Sequence, residues 1–164
     1  MAGALVARSA ASQDAVSSAT LVKHLAGTWS VPEERTPRST PLDEQVFGRG
    51  AVDVRNVSLV VLPSGDATLQ VKTSVVAKAR TFSPSLLEVK MHIGEPVTSG
   101  RDRIEPTVTV TSADERYLDT HDRWPLEGAH VSLLLISATS REINLQFDTR
   151  NGQGAFGATL TRRP

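Results

Sequence analysis

The chain has 164 residues, eighteen basic and eighteen acidic side chains, 39% hydrophobic and 22% charged content, and no cysteine. That length suits one domain able to bury about 70% of its unfolded surface, and the balanced charge removes the basic footprint that nucleic acid requires. Without thiols there are no disulfides, thiolate metal sites or cysteine nucleophiles.

Residues 1–11 read as a flexible lead-in of Ala and Ser character. They lack the basic start and apolar stretch of a signal peptide, so the compartment stays open between the cytoplasm and export with a signal already removed. Residues 12–164 form the single domain. Ala15, Ala19, Val22 and Ala26 recur at helical spacing, with Ser12 as N-cap, Asp14 in the first turn and Gly27 as the terminating glycine. One short helix is expected there.

Beyond it the period changes from 3.6 to 2. Ala67, Leu69, Val71, Thr73 and Val75 share one face, as do Leu87, Val89, Met91 and Ile93, and again Ile143, Leu145 and Phe147. Polar residues occupy the alternate positions, the pattern of half-buried antiparallel strands. Residues 57–62 and 131–136 are apolar on both faces and read as covered central strands. Further strands are expected at 107–111, 116–119 and 154–163. Pro63-Ser64-Gly65-Asp66, Thr139-Ser140 and Asn151-Gly152 supply hairpin turns. The longest near-apolar run, 131–138, is far short of the roughly 20 residues that span a bilayer, so no membrane insertion is expected. Three longer loops, 32–50, 94–103 and 119–128, interrupt the meander, and loops of this length on a β scaffold commonly carry function.

Eight or nine strands at this spacing define an all-β fold, either an up-and-down antiparallel barrel of about eight strands or an antiparallel sandwich. The run Leu25-Ala26-Gly27-Thr28-Trp29-Ser30, a helix end followed by Gly-x-Trp, resembles the opening of the calycin superfamily, which includes the lipocalins, fatty-acid-binding proteins and avidins. That resemblance implies a barrel whose end is closed by Trp29, with an arginine of the last strand across the indole. Strand phase makes Arg162, not Arg163, that arginine, since Phe156, Ala158 and Leu160 lead to it. A desolvated guanidinium on an indole contributes about 2 kcal/mol.

The densest group of chemically active side chains is 114–124. His121 oriented by Asp119 or Asp122 would be a general base; the competing expectation is a polar loop whose charges pair in water, with Trp124 packed on the rim. The four histidines show no metal-binding spacing, and no phosphate loop or nucleophile elbow is present, so neither metal nor cofactor is expected. The inward residues Leu69, Val71, Leu87, Val89, Met91, Leu133, Leu135, Leu145 and Phe147 would line a ligand cavity or fill the interior completely. Three functions follow in order: a binder of a small apolar or amphipathic ligand with loop 32–50 as lid; a protein-interaction module, with a protein partner or a second copy; and a hydrolase-type enzyme centred on His121.

Overall fold

A computed structural model describes residues 17–97, 103–137, 139–152 and 154–164. Its elements are α1 (Ser18–Leu25), β1 (Gly27–Ser30), β2 (Glu34–Pro37), α2 (Pro41–Phe47), β3 (Val52–Val61), β4 (Asp66–Ala77), β5 (Arg80–Val97), β6 (Glu105–Tyr117), β7 (Arg123–Pro125), β8 (His130–Leu134), β9 (Glu142–Asp148) and β10 (Phe156–Arg162). The fold is all-β, one antiparallel sheet in the order β7-β6-β5-β4-β3-β1-β10-β9-β8, with β2 also on β3. Among the described residues the expected continuous barrel ladder is not present. β6 and β8 share no ladder and meet at a single bridge, where Ile104 and Leu135 exchange hydrogen bonds of 2.8 and 2.9 Å.

The alternation read from the sequence fixes the inner face. Leu59 lies opposite Leu69, Leu69 opposite Val89, and Val89 opposite Ala113. Ile143, Leu145 and Phe147 are buried while Glu142, Asn144 and Gln146 are exposed. The core gathers these residues with Leu21 and Leu25 of α1, Trp29, Leu133, Leu135 and Leu160.

The helix differs from expectation in its cap and its face. Ser17 is the N-cap, its hydroxyl accepting from the Thr20 amide at 3.2 Å. Ser12, Asp14, Ala15 and the lead-in 1–11 lie outside the described residues. The buried pair is Leu21 and Leu25, not Ala19, which is exposed. Leucine one position off the alanine stripe has more apolar surface to hide, so it determines which face turns inward.

Residues 57–62 and 131–136 are not covered on both sides. Val60 and Leu62 are exposed, as is Ile136, and β8 ends the sheet rather than lying within it. The segments expected at 107–111 and 116–119 join into the single strand β6, and β5 runs well past both ends of the alternating segment at 87–93. A tight turn at Lys78 and Ala79, with φ of 48° and 62°, joins β4 to β5.

Loop 32–50 is structured. β2 pairs with β3 from Glu34 opposite Arg55 to Pro37 opposite Val52. Pro41 opens α2, and Thr40 and Asp43 form a reciprocal capping box. The Thr40 bonds hold the Asp43 carboxyl below its ordinary range. Phe47 then meets Phe82, ring centroids 5.4 Å apart, over a small second core of Ala51, Val75 and Ala77.

Candidate functional site

At one end of the interior the carbonyls that α1 leaves unpaired determine the arrangement. The Trp29 indole Nε1–H donates to the Leu25 carbonyl at 2.7 Å. Arg162 donates from Nη1 to the His24 carbonyl at 3.1 Å and from Nη2 to that of Ala26. Three successive carbonyls at the helix end are thus satisfied by one indole and one guanidinium. Arg162 Cζ sits 5.5 Å from the Trp29 ring centroid, and the two residues are paired across β1 and β10. Gly27 completes the unit: its φ is +133°, and a Cβ there would stand 3.2 Å from Arg162 Nη2. Trp29 is wholly buried. Arg162 is exposed rather than buried, so its stacking is worth about 0.5–1 kcal/mol and not 2. Arg163, on the opposite phase, is exposed and donates from Nε to the Ser30 hydroxyl at 2.5 Å.

The opposite end is built by the same alternation carried two residues further. Val57, Val71, Leu87 and Glu115 stand opposite one another on β3, β4, β5 and β6. The next layer is Arg55, Thr73, Ser85 and Tyr117. The inner face thus turns polar for this one layer, before the second core around Val75 and Ala77 makes it apolar again. A cavity of about 270 Å³ lies among these layers, lined by Arg55, Val71, Thr73, Ser85, Leu87, Glu115, Leu126 and Phe156, with Gly154 and Ala155 at its edge. At about 30 Å³ per water, that is space for roughly nine waters.

The polar groups of the cavity are held in place. Arg55 donates from Nε and Nη2 to Glu34 Oε2 at 2.9 and 2.5 Å, and its Cζ lies 5.4 Å from the Phe156 centroid. The Phe156 ring in turn packs on Phe147, centroids 5.7 Å apart. Thr73 and Ser85 share a hydroxyl–hydroxyl bond of 2.7 Å. Of the nine expected inward residues, all are buried, but only Val71 and Leu87 face this cavity. The other seven pack in the main core. None of residues 32–50 is among the lining residues, and the segment expected as lid reaches the cavity only through the bonds of Glu34 to Arg55.

A second concavity is open and lies between diverging strands. β1 pairs with β10 only at Trp29 and Ser30, whereas β3 continues beside β2. The resulting groove of about 670 Å³ is flanked by Val31, Pro32, Glu33 and Glu34 on one side and Gly157, Ala158 and Thr159 on the other.

The segment around His121 does not assemble a catalytic group. His121 is exposed, with φ of 64°, and its amide donates to the Tyr117 carbonyl at 2.9 Å. Asp119 accepts from the Thr120 amide and Asp122 from the Thr120 hydroxyl, at 2.9 and 2.8 Å. Both carboxylates thus serve a turn rather than the imidazole. Arg123 forms a bidentate pair with Asp114 across β6 and β7, which raises the already high guanidinium pKa. Trp124 is 58% exposed instead of packing on the rim. His92 and His130 are exposed as their phase requires, and His92 bonds Asp66 at 3.0 Å.

Among the described residues, no three His, Asp or Glu gather where they would hold a metal ion, and no helix is long and apolar enough to cross a membrane. No family model matches the chain, and no curated protein matches it significantly.

The sequence reading missed Arg55, Ser85 and Glu115 as cavity residues. A signal was available for Arg55 and Ser85, which continue the phase of an apolar strand face with a polar side chain; Glu115 had none, because a register shift between Val110 and Ser112 changes the inward phase of β6.

Proposed function

We propose that this chain is a non-enzymatic, calycin-like β-barrel of about eight strands that binds a small apolar or amphipathic molecule at the end opposite Trp29. The observation that carries this reading is the cavity of about 270 Å³, with aliphatic Val71 and Leu87 next to ordered polar groups. A few oriented polar groups on an apolar concavity are the usual composition of a small-molecule site. The volume lies just below the usual 300–1,000 Å³ of ligand pockets, which suits a molecule of single-ring size. Support for the barrel comes from the bridge between Ile104 and Leu135, which brings the start of β6 and the end of β8 into one hydrogen-bonded contact. Support for the calycin likeness comes from Gly27, Trp29 and Arg162 acting as one unit.

Native mass spectrometry of the protein purified from its own host tests the reading. A retained adduct that leaves on denaturation is the expected result; a bare chain mass from several preparations overturns it in favour of an interaction module. That second reading draws on the split between β2 and β10. There the backbone edge of β10 beyond Ser30 has no strand partner on the β1 side among the described residues, and such edges accept an added strand.

A further inference from the structure

We propose that the molecule taken by the open-end cavity carries a protonated amine, with Glu115 as its counter-ion; this rests on the ligand-binding reading above. Phase and pairing turn Glu115 inward. It stands opposite the buried Leu87, on the same face as Ala113, and lines the cavity while half-buried. The other polar groups of the lining already have partners. The side of the Arg55 guanidinium that carries Nε and Nη2 is taken by Glu34 and its face by Phe156. Thr73 and Ser85 bond each other. Glu115 has no ion pair or side-chain hydrogen bond among the described residues.

The charge sum follows directly. Arg55 and Glu34 cancel, and the carboxylate of Glu115 leaves one negative charge on the cavity wall. A carboxylate drawn out of water without a partner is unfavourable, so closing the cavity over an apolar ligand body raises that cost unless the ligand brings a cation. An ammonium group supplies the missing partner at reduced dielectric, where the attraction exceeds that in bulk water. A carboxylate ligand would face Glu115 while competing with Glu34 for Arg55. The apolar body would rest on Val71, Leu87 and Leu126.

Three probes on one skeleton separate these cases: 2-phenylethylamine, 2-phenylethanol and 3-phenylpropionate. Each is titrated into the isotopically labelled protein at neutral pH and low salt, with methyl and amide shifts of Val71, Leu87 and Glu115 followed by NMR. The amine is expected to bind at least about tenfold tighter than the acid. In Glu115→Gln the amine is expected to lose about tenfold while the alcohol is unchanged. If the acid binds best, or the variant leaves the amine unaffected, the charge assignment is overturned and the cavity reading stands. If no probe moves these signals, the cavity reading itself falls. Should Glu115→Gln not fold, the ranking of the three probes on the unmodified chain decides the matter.

Discussion

Replacing Trp29 by alanine removes the largest wholly buried side chain of the core. A tryptophan buries about 150–250 Å², which at about 25 cal/mol per Å² corresponds to roughly 4–6 kcal/mol as an upper bound. Measured truncations of buried aromatics give about 3–5 kcal/mol. The indole bond to the Leu25 carbonyl adds about 1 kcal/mol, and the Arg162 stack loses its platform. Trp29→Ala should therefore destabilise by about 4–5 kcal/mol. Trp29→Phe keeps most of the area but not the N–H, and should lose about 1–2 kcal/mol. Urea denaturation followed by far-ultraviolet circular dichroism reads both, provided the denaturant slope is unchanged. A loss below about 1 kcal/mol for the alanine variant would refute the claim that this indole organises the closed end.

Arg162→Ala should lose about 1–2 kcal/mol, because two helix-end carbonyls and the indole face are released together; Arg162→Lys should recover only part of it, which a thermal melt of the three proteins will show. Gly65→Ala combines φ of +91° with a Cβ only 2.9 Å from the Ile93 carbonyl oxygen, so a loss of about 1–3 kcal/mol is expected, and an unchanged urea midpoint would contradict it. Asp66 is held below its ordinary carboxylate pKa by the His92 ring first and the Ser64 hydroxyl second. A lowered folded pKa means that its contribution is present above the unfolded carboxylate pKa and is lost as pH falls through the folded value. The stability gap between the wild type and Asp66→Asn should accordingly narrow on acidification below about pH 4, and a gap that widens there would overturn the assignment.

Much of the fold was legible because burial has a period. The stretches around Leu69, Val89 and Leu145 alternate without interruption, and their phase alone placed Arg162 on the side of Trp29. Where the sequence carried a different signal from the structure, a specific force explains it. The alanine stripe of the helix yielded to Leu21 and Leu25, which bury more area per residue. The tight turn at Lys78 and Ala79 has neither glycine nor asparagine, so no turn residue announced it. Residues 32–50 looked like a loop because their three prolines break continuous patterns, yet Pro41 opens a helix and Pro37 ends an edge strand where no ladder donor is needed. The candidate site was less legible. His121 and its neighbouring acids form a dense polar run, but adjacency along a turn points successive side chains apart. The cavity residues are scattered over β3, β4, β5, β6 and β10, and only the register between strands brings them together.

The contact between Arg162 and the His24 carbonyl joins positions 138 residues apart in sequence. Closing a loop of that length costs about (3/2)RT ln n in chain entropy. The pairings of β3 with β4 and β4 with β5, joined through residues 62–65 and 78–79, face no such delay. Loop entropy therefore leads us to expect the local meander to form first and the docking of α1 and β1 on β10 to follow. Contacts made after the rate-limiting step slow escape from the native state without hastening arrival. On that order the Trp29 cluster is the molecule's latch: Trp29→Ala is expected to raise the unfolding rate and leave the folding rate nearly unchanged, which stopped-flow kinetics will read.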